Sequence, residues 1–145
     1  MIWTMRIECV WGWYLEEECI RVIEIDSKAS LYDLHEVIQD TVEFDRDHPF
    51  EFYAGRNWKN RKLLFDEWFD RQGSLNVYAS MSIEQIYPLP KGLRLFYHFD
   101  FGDNWYFDIR KSRKKPTEPQ AGIKYPRVVD KIGPNPRQYG QPSEE

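Results

Sequence analysis

The sequence predicts a single α+β domain, a mixed or antiparallel sheet with one main helix packed across it and a proline-rich C-terminal wrap. Three observations predict it. Residues 94–110 alternate bulky apolar with polar side chains through a Gly-Asp-Asn turn, which is the period of a half-buried hairpin. A similar alternation at 5–14 is answered by a β-branched run at 19–26. Between that hairpin and the next strand, Leu31, Leu34, Ile38 and Val42 form an apolar stripe at helical spacing.

Taken in order, Ile7, Cys9 and Trp11 share one face of the first strand, and Ile20 to Ile25 supply its partner. Ser30, with Asp33 three residues on, resembles a capping box opening the helix, which ends near Glu43. His35 lies at the edge of the apolar stripe and reads as a half-buried packing or capping group. A zinc-protease helix is excluded because Gln39 stands where the second His would be. Asp45 to Pro49 is a polar turn, Phe50 to Ala54 a strand, and 62–65 a further short strand. Residues 66–80 read as an insertion or loop. Ser82 to Ile86 is one helical turn before Pro88 and Pro90.

In the main hairpin, a three-residue turn of Gly102, Asp103 and Asn104 pairs Phe101 with Trp105, Phe99 with Phe107 and Tyr97 with Ile109. That register gives one unbroken apolar face, expected to pack on the helix stripe. The other face then pairs Asp100 with Tyr106, His98 with Asp108, and Phe96 with Arg110. Asn104 takes the left-handed position such a turn needs. After Lys115 come six prolines, which exclude a central strand or a long helix. This segment wraps the domain, held by Tyr125 and by Val128 and Val129. The domain spans 1–131, with a loosely ordered tail over 132–145. The order strand-strand-helix-strand-strand-short helix-strand-strand is similar to the β-grasp arrangement of ubiquitin-like domains.

Composition narrows the function classes. With 41% hydrophobic, 17% aromatic and 30% charged residues, the chain is globular rather than disordered. No apolar run approaches the ~20 residues that cross a bilayer. Arg6 and Glu8 interrupt the first apolar stretch, so it lacks a signal-peptide core and the chain reads as cytoplasmic. Two cysteines and three scattered histidines make no structural zinc site, and no cofactor motif is present. The net charge of −4 conceals a segregation: residues 1–54 hold 13 acidic and 4 basic side chains, and 55–131 hold 9 acidic and 15 basic.

Two basic stretches stand out as partner-binding candidates, Arg56, Trp58, Lys59 and Arg61, and Lys111, Arg113, Lys114 and Lys115. Cations around a Trp can grip phosphates and stack a base. The plainer reading is solvated loops at strand ends. For chemistry, His98, Asp100, Tyr106 and Asp108 should share the polar face of the hairpin, with Asp103 at its tip. A His flanked by carboxylates is the minimum for acid–base work or a divalent metal. The plainer reading there is a cross-strand His–Asp pair and a self-capped turn. No Gly-x-Ser-x-Gly element is present, and neither Cys has a His near it in sequence.

The segments Leu31 to Gln39, Asp47 to Phe52, Tyr97 to Trp105 and Tyr125 to Arg127, in that order and spacing, resemble the plasmid pRi open-reading-frame-three-like proteins. The Asp-Phe-Gly-Asp element is the most specific part. The family tends to place Cys where Val128 stands, and Pro-Pro-Glu-Asp where Pro134 to Gln138 stand. The resemblance implies an α+β fold and no established activity. The sequence therefore predicts a non-enzymatic binding module with a protein or nucleic-acid partner, no cofactor and no membrane, and leaves homo-oligomerisation open. The alternative is a small hydrolase-like or metal-binding enzyme using the polar face of the 94–110 hairpin.

Overall fold

The computed structural model describes residues 1–65 and 74–139. Its elements are β1 (Ile2–Trp11), β2 (Ile20–Asp26), α1 (Leu31–Val42), β3 (Phe50–Gly55), β4 (Arg61–Leu64), α2 (Ser74–Ala79), α3 (Ile83–Ile86), β5 (Arg94–Phe99), β6 (Trp105–Lys111) and β7 (Arg127–Ile132). The strands form one seven-stranded sheet in the order β4-β3-β5-β6-β1-β2-β7.

This corrects the expected α+β, β-grasp fold. A mixed sheet needs a parallel pair, and all six pairings are antiparallel. The helices are small, at twelve, six and four residues, so the sheet dominates. Residues 66–73 of the expected 66–80 loop lie outside the described residues, and α2 follows where only a loop was foreseen. The proline-rich wrap is interrupted by β7, which occupies the proline-free window after Pro126 and adds an edge strand to β2. Val128 and Val129 do not hold it by burial, since both are exposed. The ladder holds it, together with the buried Arg21, which donates to Ile132 O at 3.1 Å and Asn135 Oδ1 at 2.6 Å.

The helix start is as the sequence reads: Ser30 Oγ accepts from Asp33 N–H, and the Asp33 carboxylate accepts from Ser30 N–H. Leu34, Ile38 and Val42 join Ile7, Ile23, Tyr97, Phe99, Trp105 and Phe107 in the core, with Phe44, Tyr78 and Ile83 sharing the cover. Gly12 is required by this packing, because a Cβ there would lie 2.0 Å from the Trp105 ring.

The β5–β6 register differs from the expected one by two residues. Phe99 pairs with Trp105, His98 with Tyr106, Tyr97 with Phe107 and Phe96 with Asp108. The loop is five residues, Asp100 to Asn104. Asp100 closes it: Oδ1 accepts from Gly102 N–H and Asp103 N–H, and its own N–H donates to Pro49 O. Asp100 and Asn104 both take positive φ, 65° and 57°, so strand alternation stops at Asp100. Phe101 accordingly leaves the core and is 48% exposed. A two-residue shift keeps every other side chain on its expected face, which is why the alternation could not detect it.

Candidate functional site

The core covers one face of the sheet; the other, the open face, is itself partly covered, with Tyr53, Phe96, His98 and Asp108 buried on it. On it the strands place Arg6 and Glu8 of β1, Tyr106, Asp108 and Arg110 of β6, Arg94, Phe96 and His98 of β5, and Glu51 and Tyr53 of β3. Two irregularities enrich it with rings. A bulge in β1 between Cys9 and Trp11 sets Trp11 opposite Tyr106, so Trp11 leaves the face it was expected to share with Ile7 and Cys9. The loop after β3 folds back, Tyr53 Oη donating to Trp58 O, and lays Trp58 on Tyr106.

The result is a continuous ladder of six rings. Trp13 meets Trp11 edge-on at 6.5 Å, and Trp11 stacks with Trp58 at 5.9 Å. Trp58 meets Tyr106 at 4.6 Å, Tyr106 stacks on His98 at 4.3 Å, and His98 on Phe101 at 4.6 Å. Beneath it Tyr53 and Phe96 stack at 5.6 Å, with Arg61 over Tyr53 and Arg94 over Phe96.

His98 is the buried centre of this face. Its Nδ1 lies 2.7 Å from Glu51 Oε2 and its Nε2 lies 2.8 Å from Asn104 Oδ1. The Asn104 amide is oriented by donating to Gly102 O, so its oxygen faces the ring. Both His98 nitrogens thus meet acceptor oxygens. Arg61 pairs with the same Glu51 carboxylate. Burial works against ionisation of Glu51, but the hydrogen bonds from His98 and Arg61 outweigh it and hold its carboxyl below the ordinary value.

The acidic candidates do not converge on His98. Asp108 is buried opposite Phe96, between Arg94 at 3.7 Å and Arg110 at 3.2 Å, and its Oδ1 meets no partner among the described residues. Asp100 is spent on its loop and on His48, 3.6 Å away. Asp103 at the tip offers its carbonyl to Trp13 N–H at 3.1 Å. Of the catalytic candidates among the described residues only Tyr106 touches His98, while Arg61 of the basic stretch brings its Nη2 to 3.2 Å from His98 Nδ1. Among the described residues no group of three or more His, Cys, Asp or Glu side chains could hold a metal.

The basic stretches separate. Lys59 lies over Trp58 at 5.2 Å, on the open face with Arg61, whereas Lys111, the last residue of β6, lies over Trp3 of β1 at 4.7 Å on the core side of the sheet. Arg56, Arg113, Lys114 and Lys115 are exposed. Sequence reasoning missed Trp11, Trp13, Glu51 and Asn104, and assigned Phe101 to the core. The bulge and the loop conformation that expose Trp11 and Phe101 leave no mark on the alternation.

The chain belongs to the plasmid pRiA4b ORF-3-like protein family, whose model matches residues 14–138. It is also similar to a solved protein of unknown function, MM3350, from Methanosarcina mazei Go1. That likeness has a TM-score of 0.65 and 19% identity, covering 90% of this chain and 68% of the other. At that identity it speaks for the fold alone. No curated protein matches the chain. Among the described residues no helix is long and apolar enough to cross a membrane.

Proposed function

We propose that the protein is a non-enzymatic binding module whose working surface is the open sheet face, and that its partner is single-stranded nucleic acid. The ring ladder from Trp13 to Phe101 carries the reading. An antiparallel sheet presenting rings beside cations is how single strands are commonly held, because every base has a face to stack while arginine and lysine meet the phosphates. Four arginines, Arg6, Arg61, Arg94 and Arg110, outnumber the three carboxylates Glu8, Glu51 and Asp108 with which they pair, and Lys59 adds a cation beside Trp58. The engagement of both His98 nitrogens weighs against the enzymatic alternative, since neither is left to take a proton from a substrate or to bind a metal.

The test is a tryptophan-fluorescence titration with a single-stranded thymidine oligonucleotide at two salt concentrations. Quenching is expected, weaker at the higher salt, and Trp58→Ala should reduce affinity by about tenfold or more, the scale of one lost base stack. No quenching at low salt would remove nucleic acid as the partner.

A further inference from the structure

We propose that the cleft between α1 and the start of β3 is a second binding site, for a small, planar, uncharged molecule whose carbonyl oxygen accepts a hydrogen bond from His35 Nε2–H. Tyr32, His35, Glu36, Arg46, His48, Phe50 and Tyr78 are among its walls, around a volume of about 520 Å³, within the range of small-molecule sites.

The tautomer of His35 follows from a chain of hydrogen bonds. Arg46 N–H, which can only donate, lies 3.1 Å from the Gln39 side-chain oxygen, Oε1. That orients the buried amide, so Gln39 Nε2 is the end that meets Tyr97, donating to Oη at 3.0 Å. Tyr97 Oη accepts there and has one proton of its own, which goes to His35 Nδ1 at 2.5 Å. Nδ1 is therefore an acceptor, and the neutral imidazole carries its proton on Nε2. Burial keeps both groups in these states: it pushes the Tyr97 phenol well up, and it lowers His35 to about 4.

His35 is 4% exposed and stacks on Phe50 at 3.8 Å, yet Nε2 meets no hydrogen-bond partner among the described residues. It is also not one of the sealed, unpartnered atoms, so it opens onto the cleft. A donor that no protein group takes and that opens onto a cleft is free for water or for a ligand carbonyl that displaces it. The ligand's character follows from what surrounds it. Glu36 and Asp47 line the cleft and repel an anion, and the arginine among its walls, Arg46, is already matched by Glu36 and Asp40. Tyr32, Phe50 and Tyr78 provide aromatic walls that favour a flat molecule.

The site is independent of the open sheet face, so its test is too. Long-range nitrogen–proton NMR at pH 7 on the whole chain should find His35 in the Nε2–H form. N-methyl-2-pyridone, planar and able only to accept, should then shift the His35 ring signals, while benzoate should not. His35→Phe keeps the ring and loses the donor, and should weaken pyridone binding about tenfold. The Nδ1–H form in the wild-type protein, or His35 signals unmoved by the pyridone at millimolar concentrations, would overturn the proposal without any variant having to fold.

Discussion

Phe99 faces Trp105 across the β5–β6 ladder, two positions nearer the loop than alternation suggests, and the two rings close the core beneath Phe44. Phe101, two residues on, lies outside against His98. Phe99→Ala should therefore cost about 3–5 kcal/mol of stability. Phe101→Ala should stay within about 0.5 kcal/mol, like other surface changes. Urea denaturation of both variants checks the register; equal losses would restore the three-residue turn.

Burial lowers the pKa of His35 to about 4, against roughly 6.5 in the unfolded chain. Between those values the unfolded state binds the extra proton, so the stabilisation is complete above pH 6.5 and fades as pH falls towards 4. Relative to His35→Phe, the wild-type protein should lose about 3 kcal/mol of unfolding free energy over that window. Paired denaturant titrations at pH 7 and pH 4 measure it, and a gap that does not change with pH would show the imidazole is not buried neutral.

Gly12 lies against the Trp105 ring, where an added methyl group would meet the indole at 2.0 Å. Gly12→Ala should cost about 1–3 kcal/mol through overpacking. A melting temperature equal to wild type would mean the β1–β2 loop gives way freely.

Cys9 and Cys19 are adjacent across β1 and β2, Cys9 N–H donating to Cys19 O, and both are free and buried. Burial raises both thiols above their ordinary value, so little thiolate is present at pH 7. A thiol-reactive dye should label neither in the native protein and both in denaturant. Rapid native labelling would contradict the packing of this corner.

On the open face, Lys59 sits beside Trp58 and is free to meet a phosphate. Lys59→Ala should flatten the salt dependence of oligonucleotide binding by about 0.7 in the logarithmic slope, the value of one single-strand phosphate contact. An unchanged slope with weakened binding would assign Lys59 to positioning Trp58.

The sequence by itself determined six of the seven strands, the capped helix and which side chains most of them bury, because period and capping are local properties of the chain. It also marked His98 and the Trp58 loop. Only the tertiary structure decided the rest. A period-2 pattern is blind to a two-residue slide, so the five-residue loop that turns Phe101 outward depended on Asp100 reaching its own loop and Pro49. The bulge before Trp11 and the return of β7 to β2 are likewise pairings between distant segments. The acidic residues near His98 in sequence are spent elsewhere, while its partner Glu51 comes from 47 positions away. The chain of hydrogen bonds that sets the His35 tautomer runs through Arg46, Gln39 and Tyr97, which only the fold brings together.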